Sequence, residues 1–313
     1  MNLRTKICFQ LSKRLMPQPE HRTVNGNDYQ RWRDESLSNS WRNFSDDNIT
    51  AKTVLDFGCG TGEMALYLAR KHPAKIIGVD VDPVVIEKAQ AAKANRVEFV
   101  LTAPDKIQID DKSVDTLLAF DCMEHVMRPQ RMLEEWHRIV KPGGKCLIEW
   151  YPFKGPFGPH MEALIPIPWA HVLFGQRAMF RAAEAIYDLP SFVPRFWDVD
   201  EHGQKKPNKW RQWSTFKEQG YINELTLAEF KRITVAAGFQ IRRFEVRSFG
   251  GSMLKKTIGN ALVKLPLIGE YFVSHVLVEL SRLMNNHESR ASVSISVCAK
   301  TRAHISLNQR TDK

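Results

Sequence analysis

The run Val54-Leu55-Asp56-Phe57-Gly58-Cys59-Gly60-Thr61-Gly62 sets three alternate glycines directly after a short apolar stretch. Glycine there lets a ligand approach the backbone with no Cβ in the way. A dinucleotide site would show G-x-G-x-x-G, with a pyrophosphate on the N-terminus of the following helix. Here the spacing is G-x-G-x-G, and the carboxylate of Asp56 precedes it. That charge would repel a pyrophosphate and suits a ligand bearing an ammonium and a sulfonium. Asp80 ends the next apolar run, in Gly78-Val79-Asp80-Val81-Asp82. A carboxylate at that place can accept hydrogen bonds from two vicinal ribose hydroxyls. Asp82, just before Pro83, reads instead as a helix N-cap.

Two histidines are candidate proton acceptors. His125, in Glu124-His125-Val126, is either a general base or a structural histidine bonded to a backbone group. His160, in Gly155-Pro156-Phe157-Gly158-Pro159-His160, is either a second candidate base or a surface-loop histidine. No metal-ligand cluster is evident, so no metal is expected.

The elements that must position these groups follow from hydropathy. From Lys52 to Tyr151 short apolar runs alternate with amphipathic stretches, the pattern of a parallel α/β sheet. Strands are predicted over 53–57, 75–80, 97–101, 114–120 and 145–150, and helices over 63–71, 83–94 and 129–140. Lys141-Pro142-Gly143-Gly144 stops the last helix, because Pro cannot continue it and Gly permits the reversal. His125 then falls past the fourth strand, at the carboxyl edge where open α/β sheets bind ligands. Glu149 and Tyr151 end the fifth strand beside it. Over 152–225 the alternation stops; it resumes with a helix over 226–237 and a strand over 239–249. Helical spacing of Phe272, Val276, Leu280 and Leu283 predicts a helical insertion over 250–290, and 291–300 reads as a seventh strand.

Composition sets the outer bounds. The 313 residues are 43% apolar and 26% charged, which excludes a disordered or fibrous chain and supplies one large core. A net charge of +10 permits nucleic acid, an anionic membrane or an acidic small molecule as partner and selects none. Five scattered cysteines without a C-x-x-C pair suggest neither a disulfide framework nor a zinc site, and a reducing, cytoplasmic setting is expected. No stretch reaches the ~18 apolar residues of a membrane span. The first sixteen residues are basic and acid-free, with Leu3, Ile7, Leu11 and Leu15 recurring every four. They read as an organellar address, a membrane-surface helix or an ordinary packed helix. Fourteen aromatics between Tyr151 and Tyr221 either fill the core of a cap or line a pocket for a large apolar acceptor. Lys205, Lys206, Lys209, Arg211 and Lys217 interleave with Trp210 and Trp213, as in a nucleic-acid surface or a solvated basic loop. The greasy stretch 254–284 could rest on a membrane, on the cap or on a second subunit.

Four motifs in order, VLDFGCGTGE, GVDVDP, DKSVDTLLAFDCMEHV and RIVKPGG, resemble the core of the class I S-adenosylmethionine-dependent methyltransferases. The resemblance is to the broad small-molecule type that includes ubiquinone and sterol methyltransferases. It covers Lys52 to Trp150 without gaps and strands six and seven less specifically. It implies a doubly wound, Rossmann-like α/β fold of seven strands with the last antiparallel, and S-adenosyl-L-methionine as cofactor. The implied organisation is an N-terminal helical segment (1–50), a cofactor-binding core (51–151), a cap (152–225), a core helix and sixth strand (226–249), a helical insertion (250–290), and a seventh strand with tail (291–313). Asp56, Gly58, Gly60 and Gly62 would line the methionine end, Asp80 with Val81 the ribose, and Asp121 the site floor. Family members commonly carry an Asp just after the third strand for the adenine amino group. This chain has Ala103 there, which leaves Asp105 or a backbone carbonyl for the contact.

Methyl transfer from a sulfonium has a neutral leaving group, so it gains most from alignment and exclusion of water and needs a base only for the acceptor. Two available histidines make O-methylation of a small-molecule or lipid-like acceptor the first expectation, with carbon and nitrogen open. Peripheral membrane contact is carried alongside it. The alternatives are an RNA methyltransferase and a catalytically silent binding protein, the latter suggested by Ala103.

Overall fold

The computed structural model describes residues 1–16, 26–72, 74–92, 94–249 and 253–284. Seven strands form one sheet: β1 (Thr53–Phe57), β2 (Lys75–Asp80), β3 (Val97–Leu101), β4 (Val114–Phe120), β5 (Val140–Trp150), β6 (Phe239–Ser248) and β7 (Val273–Arg282). Their order is β3-β2-β1-β4-β5-β7-β6. The first five run parallel, and β7 lies antiparallel between β5 and β6. The chain winds outward from β1 to β3 and then returns to β4 on the other side. The carboxyl ends of β1 and β4 therefore form the switch point, where a crevice opens for ligands.

The described helices are α1 (Leu3–Leu15), α2 (Gly26–Trp41), α3 (Glu63–Lys71), α4 (Pro83–Ala91), α5 (Pro129–Ile139), α6 (Ala170–Leu173), α7 (Gln176–Tyr187), α8 (Phe216–Gln219), α9 (Leu227–Ala236) and α10 (Met253–Leu262). Leu133 and Trp136 of α5 with Phe230 and Ile233 of α9 cover one face of the sheet. Trp41 of α2, Leu68 of α3 and Ile86 of α4 cover the other. Each such fully buried apolar side chain contributes ~1.5–3 kcal/mol. The fold is thus a doubly wound α/β sheet. A third core, with Phe180, Tyr187, Trp210 and Phe216, belongs to the cap between β5 and β6, and Cys8 of α1 packs into it. Among the described residues no helix is long and apolar enough to cross a membrane.

Two elements depart from the sequence-based expectation. The 250–290 segment is not helical throughout: α10 is a helix, but residues 273–282 are strand β7. Val276 and Leu280, spaced as on a helix face, belong to a continuous run with Leu277 and Val278 that is buried on both sides of the sheet. A strand in a sheet's interior shows no alternation, so its period is uninformative. The seventh strand expected over 291–300 lies outside the described residues. The second departure is β5, which begins at Val140, before the Pro-Gly-Gly reversal, because Val140 already pairs with Val114 ahead of a register shift.

Candidate active site

The glycine loop leaves β1 at the switch point and turns into α3. Gly58, Gly60 and Gly62 all have left-handed backbone, with φ of 71°, 54° and 88°. The three differ in what surrounds them. A Cβ on Gly58 would lie 2.8 Å from Cys122 Cβ, and one on Gly62 would lie 2.4 Å from Phe99 Cζ. At Gly60 the nearest atom would be Glu63 Oε2 at 3.9 Å. Packing inside the protein therefore accounts for the outer two glycines, and only Gly60 opens onto free space. Gly62 caps α3 without a side-chain acceptor, so the first amides of that helix point toward the same space.

Asp80, half-buried at the end of β2, accepts from Gly60 N at 2.9 Å through Oδ2 and from Asp82 N at 3.0 Å through Oδ1. A carboxylate offers about four lone-pair sites, so both oxygens retain capacity for ligand hydroxyls. Asp82 caps α4 through Val84 N, as its sequence context suggested. Val81 is exposed next to Asp80. Asp56 is buried on β1, and Asp121 stands just past β4 with φ 52°, its N–H donating to Glu149 O. Burial pushes the thiols of Cys59 and Cys122 far up, and the carboxylates of Asp56 and Asp80 add to both shifts. Such concentrated negative potential favours a cationic ligand. At the end of β3, Ala103 is exposed and bridges to Lys106. Asp105 pairs with Arg128 through Oδ2, while its buried Oδ1 makes no hydrogen bond. These residues fit S-adenosylmethionine: a glycine open to a ligand, a carboxylate with capacity left for hydroxyls, and on Asp105 a buried oxygen free to accept.

Across Cys122 the loop meets a second cluster. His125 closes a single 3-10 turn, Met123–His125, and its Nδ1 lies 2.9 Å from the Tyr221 carbonyl. The carbonyl can only accept, so Nδ1 carries the proton and Nε2 keeps its lone pair. His160, held at φ 54° in the cap, packs edge-to-face on His125 with centroids 5.7 Å apart. Burial lowers both imidazoles; His160, pressed further by His125, is pushed down to about 4. Both are neutral at pH 7. Glu124 is 1% exposed, with Oε1 3.8 Å from His160 Nε2, and burial holds its carboxyl well above the usual range. Tyr151 packs against His160 and against His275 of β7, and His275 Nε2 lies 4.0 Å from Glu149 Oε1. A cleft of about 290 Å³ opens here, lined by Tyr151, Phe157, His160, Glu162, Phe249 and Ser274.

The structure joins Gly60 to Asp80 through a hydrogen bond and packs His125 on His160, while Ala103 and Asp105 lie past the end of β3. It also makes a ligand set that spacing did not reveal: donor atoms of Glu124, His125 and His160 lie within 4.8 Å of one another and could hold a metal ion. Sequence reasoning missed His275 and Tyr221, which reach the site from distant segments. It missed Asn223 as well, whose Nδ2 donates to Met123 O and Val126 O and clamps the His125 turn. The adjacent Glu-His pair was the one local signal available. The basic cluster is tied down within the cap: Lys205 and Lys206 donate to the carbonyls of Tyr187 and Trp197, and Lys209 and Arg211 pair with Asp198 and Asp188. Trp210 is buried and Trp213 packs on the cap core, so neither is an open stacking platform.

Residues 55–148 match the methyltransferase domain family. Proteins named uncharacterized methyltransferases from Mycobacterium sp. (strain JLS) and Mycobacterium ulcerans are each 32% identical, over 46% and 47% of this chain and 55% and 56% of their own lengths. The chain therefore spans about half the length of the curated relatives it matches. Among solved structures, an S-adenosylmethionine dependent methyltransferase from Mesorhizobium loti is similar at TM-score 0.48 and 15% identity, covering 78% of this chain and 96% of that one. Phosphoethanolamine N-methyltransferase 2 of Haemonchus contortus, solved with S-adenosyl-L-methionine, is similar at TM-score 0.48 and 15% identity, covering 80% and 53%. Residues 55–148, about a third of this chain, are thus similar to methyltransferase domains.

Proposed function

We propose that the protein transfers a methyl group from S-adenosylmethionine to an oxygen of a small-molecule or lipid-like acceptor held in the cleft beneath the cap. The observation that carries this reading is the contact of His125 with His160 beside the turn that follows Cys122, the residue against which Gly58 of the glycine loop packs. The bound cofactor supplies an activated methyl on a sulfonium with a neutral leaving group. Asp80 would hold its ribose, Asp56 and Asp121 its cationic end, and Asp105 its adenine edge. On the acceptor side, the Tyr221 carbonyl holds the Nδ1 proton of His125, so that Nε2 is the atom able to take a proton from an acceptor hydroxyl. His160 and Tyr151 line the cleft, and His160 packs on His125.

Calorimetric titration with S-adenosylmethionine and S-adenosylhomocysteine at two salt concentrations tests the first half. Micromolar binding of both supports the reading, and absence of binding by folded protein overturns it in favour of a silent scaffold. Turnover of apolar phenols or lipid-linked alcohols, lost in His125→Ala with cofactor affinity retained, tests the second half. Activity on RNA that falls steeply with salt would assign the acceptor to nucleic acid instead.

A further inference from the structure

We propose that α1 is a membrane-docking helix that places the cap, and with it the acceptor cleft, on an anionic lipid surface. The inward face of α1 is mostly small and polar, with Phe9 and Met16 packing on the cap core only in part, while its aliphatic side chains face solvent. Thr5, Cys8 and Ser12 are buried, and α1 packs along α7. Leu3, Ile7, Leu11 and Leu15 are 73, 43, 41 and 53% exposed. A helix whose role is to stabilise the domain turns its aliphatic side chains inward; here three leucines and Ile7 form a stripe turned to solvent. Arg4, Lys6, Lys13 and Arg14 are exposed on the same helix, and α1 contains no acidic residue.

That combination selects the occupant. An apolar stripe flanked by cations whose aliphatic stems can lie along it matches the boundary between acyl chains and anionic headgroups. A second copy of this chain docked through the same stripe would set four cations against four cations, a like-charge contact that costs association. An anionic bilayer neutralises them.

The helix shares the cap core with the segment that carries His160. Cys8 shares the cap core with Met161, the residue after His160. Farther along the cap, Val172 and Leu173 of α6 are exposed. Trp169, at the start of that helix, donates Nε1 to Tyr271 O in the turn Gly269–Phe272. Just before this turn Leu267 is 97% exposed, with Ile268 and Lys264 exposed beside it. Phe249, stacked on Phe272, lines the cleft that His160 lines. Phe249 thus links the exposed apolar turn to the wall of the cleft that a lipid-linked acceptor would enter. This use of the surface rests on the methyl-transfer reading; the docking itself does not.

The test is flotation of the full chain with phosphatidylcholine vesicles and with phosphatidylcholine vesicles doped with phosphatidylglycerol. The expected result is binding to the doped vesicles only, weakened by salt, and reduced roughly tenfold or more in Leu3→Asp/Leu11→Asp. Because both residues are exposed, that variant should keep the parent's melting temperature and its affinity for S-adenosylmethionine. Three results would overturn the proposal: no flotation, flotation unchanged by the double substitution, or a concentration-dependent dimer that the same substitution abolishes. Failure of S-adenosylmethionine to bind would remove the methyl-transfer reading and leave the vesicle result standing.

Discussion

The three loop glycines should separate into two kinds when each is replaced by alanine. A Cβ at Gly62 would sit 2.4 and 2.6 Å from Phe99 Cζ and Cε1. The ring cannot swing aside, because a Cβ at Gly78 would meet the same side chain at 2.6 Å; Phe99 is wedged between the two glycines. Overpacking of ~1–3 kcal/mol and a left-handed alanine at ~1–2 kcal/mol sum to about 2–5 kcal/mol. That is a large part of the ~5–15 kcal/mol that holds a domain together. At Gly60 only the left-handed backbone opposes alanine, about 1–2 kcal/mol, since nothing lies within 3.9 Å of the new methyl. At about 2 °C per kcal/mol for a chain this long, Gly62→Ala should melt ~4–10 °C lower and Gly60→Ala ~2–4 °C lower. The order reverses for ligand: the Gly60 methyl enters the cofactor space and should weaken S-adenosylmethionine binding by roughly tenfold or more, ~1.4 kcal/mol. Scanning calorimetry and isothermal titration on both variants read the two quantities. Equal melting losses, or unchanged affinity in Gly60→Ala, would refute the division of roles.

Asp80→Ala should weaken cofactor binding by ~1.5–3 kcal/mol, the contribution of charged hydrogen bonds, and unchanged affinity by titration would remove Asp80 from the ribose site. His125→Ala should lower kcat by roughly 10²–10⁴ with cofactor affinity retained, and a normal rate would assign the base elsewhere. His160 titrates near 4 and His125 below its usual value, so both are neutral through the physiological range. The acid limb of the kcat/KM profile should therefore lie below ~6.5, and a limb at or above that value would contradict the burial argument. The same shifts make the unfolded chain bind more protons below ~6.5, so their contribution to stability is full above that pH and lost as pH falls toward 4. Glu124 has the opposite sign: the fold keeps its carboxyl protonated, so stability declines as pH rises above its unfolded value of ~4.3. Glu124→Gln should flatten that decline in thermal melts, and parallel slopes would show that Glu124 is ionised in the fold. Dialysis against a chelator should leave the rate unchanged; a loss restored by a divalent cation would make Glu124, His125 and His160 ligands rather than a proton-transfer cluster.

Much of the core was legible because its signals are local. Strands over 53–57, 75–80, 97–101 and 114–120 and the helix over 63–71 fall on the observed elements, since the strands are short, largely apolar runs bounded by polar turns and the helix carries its own apolar period. The placement of the glycine loop at the end of β1 and of Asp80 at the end of β2 was legible too, because both stand in one short stretch of chain. β7 was not legible, because Phe272, Val276, Leu280 and Leu283 recur at helical spacing and polar Ser274, His275 and Glu279 break up the apolar run.

The acceptor half depended on the tertiary structure. His125, His160, Tyr221, Asn223 and His275 come from four segments separated by the cap and by β6, and no spacing rule links them. The structure alone shows that Tyr221 fixes the tautomer of His125, that Asn223 holds its turn, and that Glu124 is buried against His160. It alone distinguishes Gly60 from its two neighbours, because all three look identical in sequence and differ only in what a methyl group would strike. The same holds for α1, whose four-residue aliphatic repeat was plain from the start. Which way that stripe faces is decided by what packs on Thr5, Cys8 and Ser12, and the cap turns it outward. A sequence states the period of an apolar face, and packing decides whether protein or solvent meets it.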